Sequence, residues 1–386
     1  MRPNLLITLL ILLAWTSGSA GAVSDNLQLG GYLRGSGSAT RLSEPLTGRD
    51  STWLEYRLHQ RLDLRWHINA TSSLHGGLRT RLFGGDPIRR TPGYNQGLSQ
   101  RQRLVDLSWK IIDQNSWLLL TEVDRLYLEL HHQNLTWRIG RQRVNWGINL
   151  LTNPNDIFNM YSIYDYDYPE RPGSDAIRMQ YFTGADARID LAVSPARTTR
   201  QSIAAALYGF RIANYEIQLL GGYFRNRAAL GGGWAGDVHG SGFKGELMVF
   251  TADREVGNSV EDVIIATSLD YRFSSGLFAV VELLYNRNGG TRSADRERLE
   301  LTADRPSLTR YQLASHLSYA FSPVLGSSLT AIYFPRETAI YLSPALTWSV
   351  TQNLDLQILG QAFIGGDNTP LENAGRLISA WLQYNF

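Results

Sequence analysis

Apolar and charged side chains alternate almost strictly along Thr52–Ile68, which reads TWLEYRLHQRLDLRWHI. Successive side chains of a β-strand point to opposite faces, so this stretch predicts a strand with one apolar and one charged face. Strands of globular proteins are about 5–6 residues long, whereas a tilted strand that crosses a bilayer needs about 9–11. The length and the alternation therefore favour a sheet with lipid on one side and water on the other. The alternative is a long, half-buried strand of a soluble sandwich.

The same alternation recurs towards the C-terminus, between connections of two very different lengths. Short turns such as Thr351–Asn353 alternate with long segments such as Trp146–Ser174 and Arg287–Pro306. Transmembrane barrels have this asymmetry, with short periplasmic turns and long external loops. The sequence therefore predicts an all-β fold, a transmembrane antiparallel up-and-down β-barrel of about 18 strands, with 16 as the next choice.

Three stretches have a less clear pattern. Leu27–Arg34 predicts a short first strand, and Leu104–Ile112 fits either a strand or a short helix within the excursion at 84–117. The Gly-rich stretch Gly231–Gly242 predicts a short strand followed by a turn.

The first residues of the chain indicate export. Arg2, the apolar run Leu5–Leu13 and the small residues before Val23 are typical of a secretory signal peptide over residues 1–22. Residues 23–386 are predicted to form a single barrel domain, because no break in composition interrupts the series of strands. Cysteine is absent, so neither a disulfide nor a lipid-bearing cysteine is available. These features predict an integral protein of the Gram-negative outer membrane, with outer-membrane lipid as its first partner.

The charged residues nearly balance, with 37 Lys and Arg against 35 Asp and Glu, and Lys110 and Lys244 are the only lysines. Arginine stays protonated and pairs bidentately with carboxylates, so the charges indicate an internal network. They do not indicate the net basic face of a nucleic-acid-binding protein, and no cofactor or metal motif is predicted. The seven histidines are scattered. A non-enzyme is therefore expected rather than a barrel hydrolase, which needs a positioned histidine.

The last strand ends in an unusual way. Ile378, Ala380, Leu382, Tyr384 and Phe386 alternate as apolar residues up to the final position. This alternation resembles the C-terminal strand of bacterial outer-membrane barrels, and the resemblance implies that the insertion machinery recognises the strand ending at Phe386. The alternative is a hydrophobic edge strand of a soluble protein, which such proteins tend not to expose.

One stretch, 138–178, differs from the repeated strands. It contains RIGRQRVNWG from Arg138, NPNDIFN from Asn153 and GSDA from Gly173. Together these blocks resemble the pattern GRQ…WG…NP.D.FN…GSDA of poorly characterised, porin-like outer-membrane β-barrels. The resemblance covers this short part of the chain and implies a location and a fold, without a substrate. The matching residues are Gly140, Gln142, Trp146, Gly147, Asn153, Pro154, Phe158 and Gly173.

In the strand that contains this motif, alternation alone does not settle whether Arg141 and Arg143 point into the lipid or into the barrel. Continued alternation would carry Arg141 and Arg143 into lipid, at a cost of about 2–4 kcal/mol each near the midplane. Either the strand has left the bilayer by then, or a bulge at Gly140 turns both arginines inward. In the second case Asp156 or Asp175 would pair with them. The alternative is that these arginines only anchor the following loop to the wall.

The predicted function is a porin-like channel for passive diffusion of small hydrophilic solutes. A barrel of about 16–18 strands encloses an aqueous lumen, whereas a barrel of about 8 is filled by its own side chains. Arginine and carboxylate groups on the inner face would screen solutes by charge, and the loop 146–174 would narrow the lumen. The alternative is a plugged or non-conducting barrel that serves envelope assembly or export. The candidate lumen and constriction residues are Arg57, Arg61, Asp63, Arg65, Arg79, Arg81, Arg138, Arg141, Arg143, Asp156 and Asp175.

Overall fold

The computed structural model describes residues 22–43, 50–91, 93–94, 104–160, 173–252, 261–289, 301–307, 309–365, 371 and 375–386. The predicted signal peptide, 1–22, lies outside these residues except for its last position. A short helix, α1, spans Asp86–Arg90. The strands are β1 (Ala22–Ser24), β2 (Leu27–Ser43), β3 (Asp50–Asn69), β4 (Ser72–Gly85), β5 (Ser108–Gln114), β6 (Trp117–His132), β7 (Leu135–Gln142), β8 (Ser174–Phe182), β9 (Ala187–Ser194), β10 (Ile203–Ile212), β11 (Tyr215–Phe224), β12 (Arg227–Val238), β13 (Ser241–Phe250), β14 (Asp262–Arg272), β15 (Phe278–Asn286), β16 (Tyr311–Ser322), β17 (Leu325–Phe334), β18 (Ala339–Thr351), β19 (Leu354–Gly365) and β20 (Arg376–Asn385).

The strands form one closed antiparallel barrel. Strands β2 to β20, with the exception of β5, pair in chain order, and β20 pairs with β2 from Tyr32↔Asn385 to Arg41↔Arg376. Eighteen strands of the described chain therefore make up the ring. The prediction of an all-β barrel with about 18 strands is confirmed.

Strand β5 is an addition to this ring. It pairs with one half of β6, from Trp117 to Glu122, whereas β7 pairs with the other half, from Leu126 to His132. On this side of β6, the neighbouring strand is β5 over the first half of β6 and β7 over the second half. The ambiguous stretch 104–112 is strand from Ser108 onward and contains no helix.

Alternation along each strand separates an apolar outer face from a polar inner face. In β3 the outward Leu54 and Trp66 are 44% and 46% exposed, whereas the inward His59 and Arg61 are 2% and 5% exposed. Aromatic side chains gather on the outer face near the short turns, as in the interfacial girdle of a membrane barrel. They are Trp66, Tyr181, Tyr271, Phe273, Phe321, Trp348 and Tyr384.

The two ends of the barrel differ in the length of their connections. At the short-turn end the strands are joined by two to five residues, as at 70–71, 213–214 and 273–277. At the long-loop end the connections extend to 143–173 and 287–310, although 225–226 is a two-residue turn. The predicted asymmetry of the connections is therefore present.

The length of β2 and the possible bulge at Gly140 differ from the sequence-based expectation. Strand β2 continues to Ser43 instead of ending near Arg34, because it pairs with β3 along its whole length. The Gly-rich stretch 231–242 is a strand up to Val238 and a turn at 239–240, as predicted, although this strand, β12, is longer and begins at Arg227. Strand β7 keeps one register with both neighbours through Gly140, so it has no bulge there. Gly140 instead adopts a φ of 122°, a value that suits glycine because it has no Cβ.

Candidate functional site: the barrel interior

The connection between β7 and β8 folds into the barrel, and its described part, 143–160, is named here the inward segment. Glu246 of β13 holds it to the inner wall. The Glu246 carboxylate accepts the main-chain N–H groups of Ile148, Asn149 and Asn155 at 2.6, 2.8 and 2.8 Å. Glu246 has no exposed surface. Charge-assisted hydrogen bonds of this kind are stronger than neutral ones, so they compensate for burial of the carboxylate.

A second carboxylate continues the attachment two strands further on. Glu282 of β15 accepts the main-chain N–H groups of Leu151 and Thr152, both at 3.3 Å. On β14, the strand between β13 and β15, the Ser268 hydroxyl donates to Asn149 Oδ1 at 2.8 Å. The inward segment therefore follows the inner wall across β13, β14 and β15.

The beginning of the inward segment is fixed by Trp146. Its indole N–H donates to Asp190 Oδ2 of β9 at 3.1 Å, and Arg178 of β8 also binds the Asp190 carboxylate. The Trp146 ring meets the Phe158 ring edge-on at 5.1 Å. Around this pair the interior is an apolar cluster formed by Val144, Trp146, Ile157, Phe158, Ala176, Ala192, Ile203, Leu207, Leu220, Phe224, Ala229, Met248, Phe250, Ile264, Ala266, Leu284 and Ala303. This half of the inner wall is consequently covered rather than open to a lumen.

Glycine in β12 provides the space for this contact. A Cβ at Gly233 would lie 2.6 Å from Ile148 Cδ1 and 3.2 Å from Asn155 Nδ2. The Asn155 side chain also donates to the carbonyl of Gly232 at 3.0 Å. Gly232 and Gly233 are therefore the positions of β12 where the inward segment lies directly on the wall.

The opposite inner wall, on β2, β3, β4 and β6, carries charged side chains in cross-strand rows. One row places Arg34 beside His59 and His59 beside Arg81, and the next places Arg61 beside Arg79 and Arg79 beside Glu122. This group is named here the charged wall. It consists of Arg34, Arg57, His59, Arg61, Arg79, Arg81, Glu122 and Asp124.

Ion pairs link the side chains of the charged wall. Arg61 binds Asp124 at 2.8 Å and Asp63 at 2.8 Å, and Asp124 is completely buried. Glu122 accepts from both Arg79 and Arg81. Because buried charges need partners, these contacts stabilise the wall, while the sharing of one carboxylate between two guanidinium groups leaves a positive excess.

Arg34 adds to this positive excess at the closure of the barrel. Its guanidinium donates to Gln383 Oε1 of β20 at 2.8 and 2.6 Å and lies 4.4 Å from the centroid of the Trp381 ring. Both partners are neutral, so the charge of Arg34 adds to the field inside the barrel.

A cavity of about 470 Å³ lies between the charged wall and the short-turn end. Arg61, Arg65 and Arg125 line it together with Asp63. Arg65 is exposed, whereas Arg61 is buried at the boundary with the charged wall. Arg61 and Arg125 also pair with Asp124. Three guanidinium groups against these two carboxylates give this vestibule a positive potential.

Most sequence-predicted lumen residues share the inner faces of neighbouring strands. Arg57, Arg61, Asp63 and Arg65 lie on β3, and Arg79 and Arg81 lie on β4. Arg138 of β7 binds Glu129 of β6. Asp156 is buried in the inward segment, and Arg143 is half-buried at its start.

Arg141 occupies a different place, at a seam in the wall. Its guanidinium forms a bidentate pair with Asp175 of β8, at 2.7 and 3.1 Å. It also donates to the carbonyls of Val123 at 2.8 Å and Val105 at 2.5 Å. Val123 lies where β6 changes its partner from β7 to β5. Arg141 is 2% exposed, and this geometry fits the anchoring alternative rather than a lumen charge.

The motif residues of 138–178 shape the inward segment. A Cβ at Gly147 would lie 2.3 Å from Asn153 Oδ1, and a Cβ at Gly173 would lie 2.6 Å from the carbonyl of Asp124. The Gln142 amide donates to the carbonyls of Arg138 and Ala176 at 2.8 and 3.1 Å. Trp146, Asn153, Pro154 and Phe158 are all buried. The motif therefore specifies how this connection enters the barrel.

Sequence reasoning missed the wall residues that receive the inward segment, Glu246, Glu282 and Asp190. One signal could have revealed Glu282, which stands between Val280 and Leu284 on the same face of β15. A single carboxylate among buried apolar side chains requires a partner. The sequence around it does not identify that partner.

Residues before β5 also turn towards the interior at the long-loop end. Asp86 of α1 accepts the Leu54 N–H at 2.9 Å, and this hydrogen bond lowers the pKa of Asp86. Tyr94 donates to Glu55 at 3.0 Å. In the described part of the chain, no group of three or more His, Asp and Glu side chains could hold a metal ion. No helix among the described residues is long and apolar enough to cross a membrane.

The fold and the interior define a closed antiparallel barrel of the porin type. Among solved structures, a BenF-like porin from Pseudomonas fluorescens Pf-5 has a TM-score of 0.61 and 10% identity, with 95% of this chain and 100% of that chain covered. Acinetobacter baumannii OccAB4 has a TM-score of 0.61 and 7% identity over 94% and 99% of the two chains. Pseudomonas aeruginosa OccK11 (OpdR) has a TM-score of 0.57 and 10% identity over 93% and 96%.

At these identities the likeness shows a shared fold. No protein-family model matches the sequence, and no curated protein matches it either.

Proposed function

We propose that the chain is an integral outer-membrane channel of the porin type for passive diffusion of small hydrophilic solutes. The observation that carries this proposal is the division of the interior. The inward segment lies on β9 to β15, whereas the charged wall lies on β2 to β6. A loop on one side and charges on the other form the kind of constriction that tunes porin selectivity. The solved barrels of the same fold support a channel rather than an enzyme.

The exposed apolar outer face and its aromatic girdle support the membrane location. Residues 1–22 act as a cleaved signal peptide, and 23–386 form one barrel domain. The strand β20, which ends next to Phe386, directs insertion. This proposal is supported by the Phe386 main chain, which exchanges two hydrogen bonds of 3.0 Å with Gly31 at the barrel closure.

Conductance in a planar bilayer tests the proposed function. The purified intact protein is expected to give discrete current steps, and shortening the loop between 153 and 173 is expected to enlarge them, because less chain then fills the lumen. Heat-dependent gel mobility confirms that both proteins are folded. Silence from both folded proteins would rule out the channel.

A plugged barrel that serves envelope assembly or export is the second candidate. It is favoured by the burial of Arg79 and Asp124, which have no exposed surface although they face the interior. A plug would give silence from the intact protein and steps only after shortening. The same two recordings therefore separate the two candidates.

The positive vestibule predicts a preference for anions that depends on Arg65. Replacing the exposed Arg65 with Glu removes one positive charge and adds one negative charge, so the reversal potential in a KCl gradient should shift towards cations. Arg65→Lys keeps the charge and should leave the reversal potential unchanged. If both variants behave like the parent protein, the vestibule does not lie on the ion path.

A further inference from the structure

We propose that Glu246 and Glu282 are positioning residues that set the width of the pore by keeping the inward segment on the wall. The inference rests on the proposed channel function, because it assigns the part of the wall that determines the free lumen. Neither glutamate lies on the charged wall or in the motif of 138–178.

The hydrogen-bonding needs of the inward segment are the first step. The segment has no regular secondary structure, so its main-chain N–H groups find no partners in a ladder. A buried N–H group without an acceptor is costly. Five such groups, those of Ile148, Asn149, Leu151, Thr152 and Asn155, donate to these two carboxylates. Most of the main-chain attachment thus depends on two side chains of the wall.

Both carboxyl oxygens of Glu246 are used in this arrangement. Oε1 accepts two N–H groups and Oε2 accepts a third, so all the hydrogen bonds run from the segment to the carboxylate. A glutamine has nearly the same shape but offers one oxygen. Its amide nitrogen would face a main-chain donor and would repel it.

Release of these contacts would leave the middle of the segment held by the side-chain hydrogen bonds of Asn149 with Ser268 and of Asn155 with Gly232. Trp146 remains bound to Asp190, and the Val144 N–H remains bound to Asn159 Oδ1 at 2.7 Å. The chain between these anchors faces the interior, with the charged wall on the other side. A segment held by these contacts alone would therefore move more readily across the remaining lumen and obstruct it intermittently.

Accessibility of a single thiol tests the attachment directly. The chain has no cysteine, so Asn155→Cys introduces one reporter at a position that is 1% exposed. The thiol should react slowly with a membrane-impermeant maleimide. Addition of Glu246→Gln should raise the reaction rate about tenfold or more, the effect expected for loss of one charge-assisted hydrogen bond.

Glu216→Gln is the matched control. Glu216 also lies on an inner face but is paired with Arg188 at 3.3 Å near the short-turn end. It should not change the reactivity of the reporter. Glu282→Gln, whose hydrogen bonds are longer, should give a smaller increase and serves as a second variant if Glu246→Gln does not fold. Unchanged reactivity in the folded glutamine variants would overturn the proposal.

Single-channel recording then tests the effect on the pore. Glu246→Gln should show frequent partial closures, whereas Glu216→Gln should show the steady current of the parent protein. Increased reactivity without a change in current would overturn the assignment of pore width to these residues. If the intact, folded protein gave no current, the proposed channel function would be wrong. The rate of thiol modification would still test whether Glu246 and Glu282 hold the inward segment on the wall.

Discussion

Replacement of Leu283 by Arg is expected to prevent stable assembly of the barrel in a bilayer. Leu283 lies in the middle of β15 and is 56% exposed on the outer face. An arginine at the bilayer midplane costs about 2–4 kcal/mol in a membrane barrel, which is about thirty- to several-hundredfold in the folding equilibrium. Folding into lipid vesicles, followed by urea titration and heat-dependent gel mobility, measures the loss.

Leu283→Ala is the control for this substitution. It removes the same apolar side chain without adding a charge, and it should assemble nearly as well as the parent protein. If the arginine variant were as stable as the alanine variant, the outer face of β15 would not contact lipid. The assignment of inner and outer faces would then have to be reversed or abandoned.

The second large effect is expected at the buried ion pair of the charged wall. Arg61→Met removes from the fully buried Asp124 the guanidinium that binds it at 2.8 Å and leaves the guanidinium of Arg125 at 3.8 Å. Breaking a buried pair on one side costs about 3–5 kcal/mol. The double variant Arg61→Met with Asp124→Leu should recover most of this loss, since replacing both partners by apolar residues is often nearly neutral. Urea unfolding in vesicles of both single variants and the double variant gives the coupling energy.

Arg65→Met is the matched control for Arg61→Met. The two arginines lie two rows apart on the inner face of β3, but Arg65 is exposed. Substitution of an exposed side chain usually changes stability by about 0.5 kcal/mol or less. Equal effects of the two substitutions would mean that the buried pair is not a stabilising contact of the wall.

The barrel itself could be predicted from the sequence because its signal is local. Alternation in β3 is legible from a single stretch, and so are the short turns that join neighbouring strands. The contacts of the interior are different, since Glu246 and Ile148 are 98 positions apart. Nothing in the sequence near either residue indicates the other. The motif at 138–178 revealed that this connection is special, but not which strands receive it.

Strand β12 illustrates why local propensity underestimated the length of a strand. Glycine weakens a strand, both through its conformational freedom and because it has no side chain to pack. At Gly233 this lack of a side chain is what lets Ile148 and Asn155 approach the wall. The tertiary contact therefore requires glycine inside a strand, where it weakens the local strand signal. The same reasoning explains Arg141, whose place at the seam depends on β5, a strand that the alternation alone did not define.

The hydrogen bonds between Arg34 and Gln383 join residues 349 positions apart. Pairing over such a separation is slow, because the chain loses the entropy of a long loop before the contacts that compensate for this loss have formed. Until β20 pairs with it, β2 keeps one row of main-chain groups without a partner strand, and an open edge of this kind is a template for aggregation. The ring therefore remains open until its last ten residues, Arg376–Asn385, arrive. A chain truncated before β20 would be a sheet with two permanent edges, and its fate would be aggregation or degradation rather than a smaller pore.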